Sequence, residues 1–384
     1  MVKSEQFYAR ALPTPAAYTK LGFVGANKPS IRNNKLIAMT TANRITLIGN
    51  TPSPYTRKMV SILRYRHIPY SIVWADPSEE LEKRGIAKPK VALLPTFIFE
   101  DVDNGAYSAV DSTPIIRKLE SLHDGRSVIP QDAALAFIDY LLEDFADEWC
   151  TKYMFHYRWY PQDDADNAGT MLPFCIDPSM PADKQQWAKD YFSRRQIDRL
   201  YVVGSNDTTA PVIDASYRRF LKAMDAHLAS QPFMLGSRPA AGDFAIMGQL
   251  SQLVGFDPTP RAITHELSPR TVAWSLMTDD LSGLEPRASD WNNFEEIPDT
   301  LKGILNEVGR VYAPALLANA KALQAGEQQW QTEIDGATWT QQTFPYQGKC
   351  LQWINEHYQA LNSADKQKVD TVLSGTGCET LLIL

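Results

Sequence analysis

The chain has 384 residues, and 38 lysines and arginines against 45 aspartates and glutamates leave a net charge of −7. At ~150 residues per domain this is two or three domains, each able to bury a core, and 44% hydrophobic with 22% charged residues excludes wholesale disorder. The acidic balance lacks the positive field that a nucleic-acid platform needs, and no apolar run approaches the ~20 residues that span a bilayer.

The first 40 residues stand apart as a basic extension. Lys3, Arg10, Lys20, Lys28, Arg32 and Lys35 face a single acid, Glu5, and Pro13, Pro15 and Pro29 prevent one long helix. Such a segment reads as an organelle transit peptide or as a disordered extension of a cytoplasmic protein. It also reads as the product of an upstream start codon, since Met39 precedes the first structured segment.

Residues 41–125 carry strand and helix signals in alternation. The patterns predict strands over Arg44–Gly49, Tyr70–Trp74, Leu93–Glu100 and Tyr107–Val110, and helices over Pro54–Arg66 and Asp111–Leu122. That order suits a small mixed sheet covered by helices. From residue 131 the pattern becomes helical only. Helices are expected over Ala133–Tyr160, Lys184–Val203, Ala215–Ser230, Asp243–Gly255, Pro269–Asp279, Pro298–Gln324 and Tyr346–Leu361, with long loops at 161–181 and 279–298. A helical domain over 131–312 and a helical C-terminal extension over 313–384 follow. The extension's Trp339, Phe344, Tyr346 and Trp353 imply that it packs on something.

Three features of the first domain bear on chemistry. Ser53 lies just ahead of a helix start, where unpaired N–H groups and the positive dipole end favour an anion; by itself it is equally an N-cap. Leu94-Pro95 opens a strand, and a cis bond there would expose the Leu94 main chain for pairing with a peptide. Asp111-Ser112 opens the next helix, where an acid, a hydroxyl and N–H groups can hold the ammonium and carboxylate of an α-amino acid; taken alone, this pair is also an ordinary helix cap and Pro95 an edge or strand-start proline. Cys150, Cys175, Cys350 and Cys378 form no Cys-x-x-Cys pair and the histidines show no ligand spacing, so no metal is expected, and a reducing compartment is.

In this order the chain resembles the glutathione S-transferase superfamily, in its bacterial-type Ser-Pro-Tyr-x-Arg-Lys branch. The matching residues are Ser53-Pro54-Tyr55-Thr56-Arg57-Lys58, Leu93-Leu94-Pro95-Thr96 and Asp111-Ser112-Thr113-Pro114; Leu235-Gly236 through Asp243-Phe244 match the signature that opens a buried helix in the family's second domain. The resemblance covers roughly residues 44–279. It implies an α/β thioredoxin-like N-terminal domain followed by an all-α glutathione-transferase C-terminal domain, with glutathione as co-substrate and a homodimer as the assembly. Ser53 would donate to the glutathione sulfur, with Tyr55 and Thr51 as rival hydroxyls. Leu94 and Pro95 would hold the cysteinyl unit, and Asp111 and Ser112 the γ-glutamyl end. Asp243 would be structural, although its usual Ser/Thr partner falls at Ala240.

The activity implied is glutathione transfer to a small, hydrophobic electrophile in detoxification. Tyr153, His156, Tyr157 and Tyr160, in an aromatic run on the first long helix of the second domain, are candidates for the electrophile pocket or, more blandly, for core packing. Two alternatives stand: a catalytically weak binding or scaffold protein of this fold, and a glutathione-dependent reductase, thiol transferase or peroxidase. Serine at position 53 argues against disulfide exchange, which needs a thiol there.

Overall fold

The computed structural model describes residues 44–101 and 105–382; the basic extension, with its transit-peptide reading, lies outside them. Strand β1 (Ile45–Gly49) is the centre of the first sheet. It pairs in parallel with β2 (Tyr70–Trp74) and antiparallel with β3 (Thr96–Asp101), which pairs antiparallel with β4 (Gly105–Ala109), giving the order β2-β1-β3-β4. Alternation sets the two faces. Ile45, Leu47, Phe97 and Phe99 face helices α1 (Pro54–Tyr65) and α3 (Ser112–Leu122). Ile48 and Ile98 meet Leu81 of α2 (Pro77–Lys83) on the other side. The expected connection between β2 and β3 therefore contains a short helix. Its start is written in the sequence: Asp76 accepts from Ser78 N and Glu79 N, with Pro77 in the first turn.

Register does the positioning. Ile48 sits opposite Thr96 and Ala109 beside Phe97, so the ends of β1 and β4 and the start of β3 lie at one edge of the sheet. Residues 50–53, 93–95 and 110–112 emerge there together.

The second domain is built on a rod of α4 (Ala133–Phe145), a π-helical turn (Ala146–Cys150) and α5 (Thr151–Trp159). Helices α6 (Gln162–Ile176) and α7 (Ala182–Ile197) form a hairpin beyond it, followed by α8 (Ala210–Leu228), α9 (Ala241–Leu253), α10 (Pro258–Leu267) and α11 (Pro269–Thr278). The loop expected over 161–181 is thus largely helical; Pro173 inside α6 and its polar first turn hid the periodicity. Helix α9 is buried almost all round and lies against α1, where a Cβ on Gly248 would come within 2.6 Å of the Pro54 carbonyl oxygen.

Helix α12 (Asp299–Glu307), a second π turn (Val308–Tyr312) and α13 (Ala313–Gln324) are continuous. The expected boundary at 312/313 falls inside this rod. The extension is also not purely helical: β5 (Gln329–Ile334) and β6 (Ala337–Gln342) form a hairpin whose turn places Asp335 and Gly336 at positive φ, the conformation a two-residue turn requires. Helices α14 (Pro345–Gln359) and α15 (Ser363–Leu373) complete it. The hairpin's Trp339 is fully buried against Trp149 of the first rod, with ring centroids 5.3 Å apart. The extension is part of the folded body.

Candidate functional site

Ser53 is the N-cap of α1. Its Oγ accepts from Thr56 N at 3.2 Å, its side chain is buried, and among the described residues its hydroxyl proton has no acceptor. The rival hydroxyls point elsewhere: Tyr55 Oη donates to the Asp147 carbonyl at 2.7 Å, toward the helical domain, and Thr51 lies exposed at the rim. The Leu94–Pro95 bond is cis, and among the described residues no hydrogen bond engages the Leu94 main chain. Thr96 Oγ1 ties this turn by donating to the Leu93 carbonyl at 2.7 Å.

Asp111 caps α3 from a main-chain conformation of φ 81° and ψ 112°, a region that L side chains occupy at a cost of ~1–3 kcal/mol. One carboxylate oxygen accepts from Thr113 N at 3.3 Å; the other accepts from Tyr346 Oη at 2.8 Å. Burial pushes this carboxyl above its ordinary range. Ser112 is buried and its Oγ accepts from Lys58 Nζ at 3.1 Å.

The sheet edge therefore brings Ser53, Leu94, Pro95, Asp111 and Ser112 together, with Lys58 beneath them. The Lys58 ammonium also donates to Glu143 Oε1 at 2.8 Å and Asp147 Oδ2 at 2.6 Å, with the lysine and Glu143 side chains each 1% exposed. Burial alone would lower the lysine, but Asp147 and Glu143 outweigh it and hold the ammonium charged. Against the same burial, Arg117 and Lys58 hold Glu143 down to about 2. Burial wins at Asp147, which is pushed up to about 6. Lys58 was missed from sequence, although a signal existed: it shares the 55-58-59-62 face of α1 with Met59 and Ile62, and a lysine on a buried stripe requires a carboxylate.

The aromatic run packs as core, and none of its four candidates is among the residues lining the cavity at the β1–α1 turn. Tyr153, His156 and Tyr157 are buried, and each is tied by a side-chain hydrogen bond: Tyr153 Oη with Ser216 Oγ at 2.6 Å, His156 Nδ1 with Ser205 Oγ at 2.7 Å, Tyr157 Oη on Asp214 at 2.7 Å. Tyr160 is more exposed but bonds Asp207 at 2.8 Å. Burial lowers His156 to about 4, which makes it a neutral core histidine at neutral pH. The run packs the rod against α8 and the 200–209 segment. A cavity of about 700 Å³ opens instead on the outer side of the β1–α1 turn, where Thr51, Pro52, Arg57, Phe256, Arg261 and Leu276 are among the lining residues. Arg57 there pairs with Asp279 at 2.5 Å.

Asp243 serves the helix it opens. Its two carboxylate oxygens accept from Met234 N and Ala240 N, both at 2.9 Å, and Ala240, with no side-chain oxygen, returns only its carbonyl to Asp243 N. Burial raises this carboxyl to about 7.

Residues 47–127 match the family described as glutathione S-transferase, N-terminal domain. No curated protein matches the chain significantly. Similar solved structures include a glutathione S-transferase from Methylobacterium radiotolerans in complex with glutathione sulfonate, 19% identical, covering 60% of this chain and 94% of that one with a TM-score of 0.31. A glutathione S-transferase from Rhodospirillum rubrum is 16% identical over 65% and 96%, TM-score 0.37. A maleylacetoacetate isomerase from Anaeromyxobacter dehalogenans with bound glutathione is 15% identical over 64% and 99%, TM-score 0.34.

Proposed function

We propose that this chain, whose residues 47–127 match the glutathione S-transferase N-terminal domain, binds glutathione at the sheet edge and activates its thiol for transfer to a small electrophile. The observation that supports this most is the convergence of three unlike features at one edge: a buried Ser53 hydroxyl proton at the α1 N-terminus and a Leu94 main chain, both without a partner among the described residues, and Asp111 held at positive φ beside Ser112. Leu94 would pair with the cysteinyl unit, and Asp111 and Ser112 would hold the γ-glutamyl end.

Bringing a thiol from a pKa of ~8.5 to ~7 takes about 2 kcal/mol of preferential thiolate stabilisation. One hydroxyl donating to an anion, worth ~1.5–3 kcal/mol, with the helix dipole behind it, supplies that amount. The thiolate then attacks the electrophile and the leaving group departs with its electron pair. The cavity beside Thr51 and Pro52, two residues ahead of Ser53, is the acceptor site we favour, in place of the aromatic run.

Calorimetric titration of glutathione into the full chain, followed by turnover with a generic aryl halide, tests the proposal. A second reading, a catalytically weak binding or scaffold protein, is favoured by one observation: Asp111 and Ser112 are already engaged by Tyr346 and Lys58. No heat at millimolar glutathione would favour that reading.

A further inference from the structure

The tyrosine on Asp111 comes from outside both family domains. Tyr346 is the second residue of α14, in the C-terminal extension, 235 residues from its partner. It is not carried on a loose tail. Buried Asn319 of α13 clamps Phe344, two residues earlier, from both sides, Nδ2 donating to the Phe344 carbonyl at 3.0 Å and Oδ1 accepting from Phe344 N at 2.8 Å. The Tyr346 ring stands edge-on to Trp353 at 6.0 Å, and the next residue, Gln347, donates to Glu148 Oε2 at 3.1 Å.

Asp111 thus has a strained main chain, one oxygen bound to its own helix and the other covered by a phenol. A γ-glutamyl ammonium needs that second oxygen. An ammonium is the stronger donor, because its bond to a carboxylate is assisted by charge on both sides, but it can make that bond only by displacing the phenol. We propose that Tyr346 is a residue of the glutathione site and sets its affinity, holding the Asp111 oxygen that the ligand's α-ammonium must take. This rests on the glutathione reading above. It identifies the favoured ligand as one ending in a free α-amino acid, and it gives the extension a role: α14 is the wall against which the γ-glutamyl end competes.

Tyr346→Phe keeps the ring and its packing and removes only the hydroxyl. In the full chain, with wild-type melting as the check on folding, the variant is expected to bind glutathione about tenfold more tightly, the scale of one hydrogen bond to a charged group. Saturating glutathione is also expected to speed amide exchange in the first turn of α14 of the wild type. Equal or weaker binding by Tyr346→Phe, with clear binding by the wild type, would overturn this inference alone and leave the glutathione site standing. No binding by either form at millimolar glutathione would overturn the site and the inference together.

Discussion

Replacing Lys58 by Met removes the cation that two buried carboxylates share while keeping most of the side-chain stem. The consequences for the two acids differ. Glu143 keeps Arg117, 2.5 Å away, and Thr113 Oγ1 at 3.0 Å. Asp147 keeps only a 3.5 Å contact to Ser112 Oγ, and its Oδ1 has no partner among the described residues. Breaking a buried pair costs about 3–5 kcal/mol, and the buried methionine returns part of this, so a loss of about 2–4 kcal/mol is expected at pH 8. Protonation is the escape. Asp147 is already raised to about 6 with Lys58 present, and without it the carboxyl rises further. A carboxyl whose folded pKa lies above its unfolded value stabilises the fold while protonated and loses that contribution as pH rises through the folded pKa. The penalty should therefore shrink by up to ~1.4 kcal/mol per unit as pH falls from 8 to 6. Urea unfolding across that range, read by tryptophan fluorescence with buried Trp149 beside the cluster, measures it. Adding Asp147→Asn should recover much of the loss at pH 8. A penalty below about 1 kcal/mol, or one equal at pH 6 and 8, would refute the account.

Ser53→Ala should lower turnover with an aryl halide roughly ten- to a hundredfold near neutral pH and recover in part as pH rises, with about 1 kcal/mol lost from the missing N-cap; an unchanged pH–rate profile would remove Ser53 from the chemistry. Gly248→Ala should cost about 1–3 kcal/mol, since its Cβ would lie 2.6 Å from the Pro54 carbonyl oxygen and 3.1 Å from Lys58 Cβ, and thermal melting would show it. Burial raises Asp144 to about 7 and Glu148 to about 8, so the stability their protonation contributes is full below about pH 4 and lost as pH rises to about 8. Asp144→Asn should flatten the fall in stability over that window, and parallel wild-type and mutant denaturation curves would contradict this.

The first domain was legible because its signals are local. Alternation in β1, Pro54 in the first turn of α1 and the Asp111-Ser112 start of α3 each act within a few residues. The turn at Asp335-Gly336 was equally local and was passed over because a helical pattern was expected around it. The aromatic run was illegible for the opposite reason. Periodicity shows that Tyr153 and Tyr157 share a face, but whether that face meets a cavity or another helix depends on Ser216 and Asp214, some sixty residues on. The same holds for Lys58, whose acids lie 85 and 89 residues away, and for Tyr346, farther still.

These distant partners meet on one helix. The α4 rod and its π turn carry Asp139, Glu143, Asp144, Asp147 and Glu148, and residues four apart share a face. Asp139 accepts from Gly242 N at 2.8 Å, and Glu143 and Asp147 meet the cations of α1 and α3. On the adjoining stripe, Asp144 accepts from Tyr312 Oη at 2.5 Å and Glu148 from Gln347, both neutral donors on the side of the extension. Along these stripes the rod meets the sheet domain through ion pairs and the extension through hydrogen bonds to carboxyls that burial raises, while its N-cap Asp132 pairs with Lys368 of the extension at 3.1 Å. The two junctions respond oppositely to pH. Acid discharges Asp147 near pH 6 and Glu143 only near pH 2, whereas rising pH charges Asp144 and Glu148 near neutrality, with Lys152 as the cation beside Glu148. Rising pH therefore charges carboxyls on the side that carries Tyr346 onto Asp111, while Lys58, raised by Asp147 and Glu143 against its burial, keeps its charge on the other.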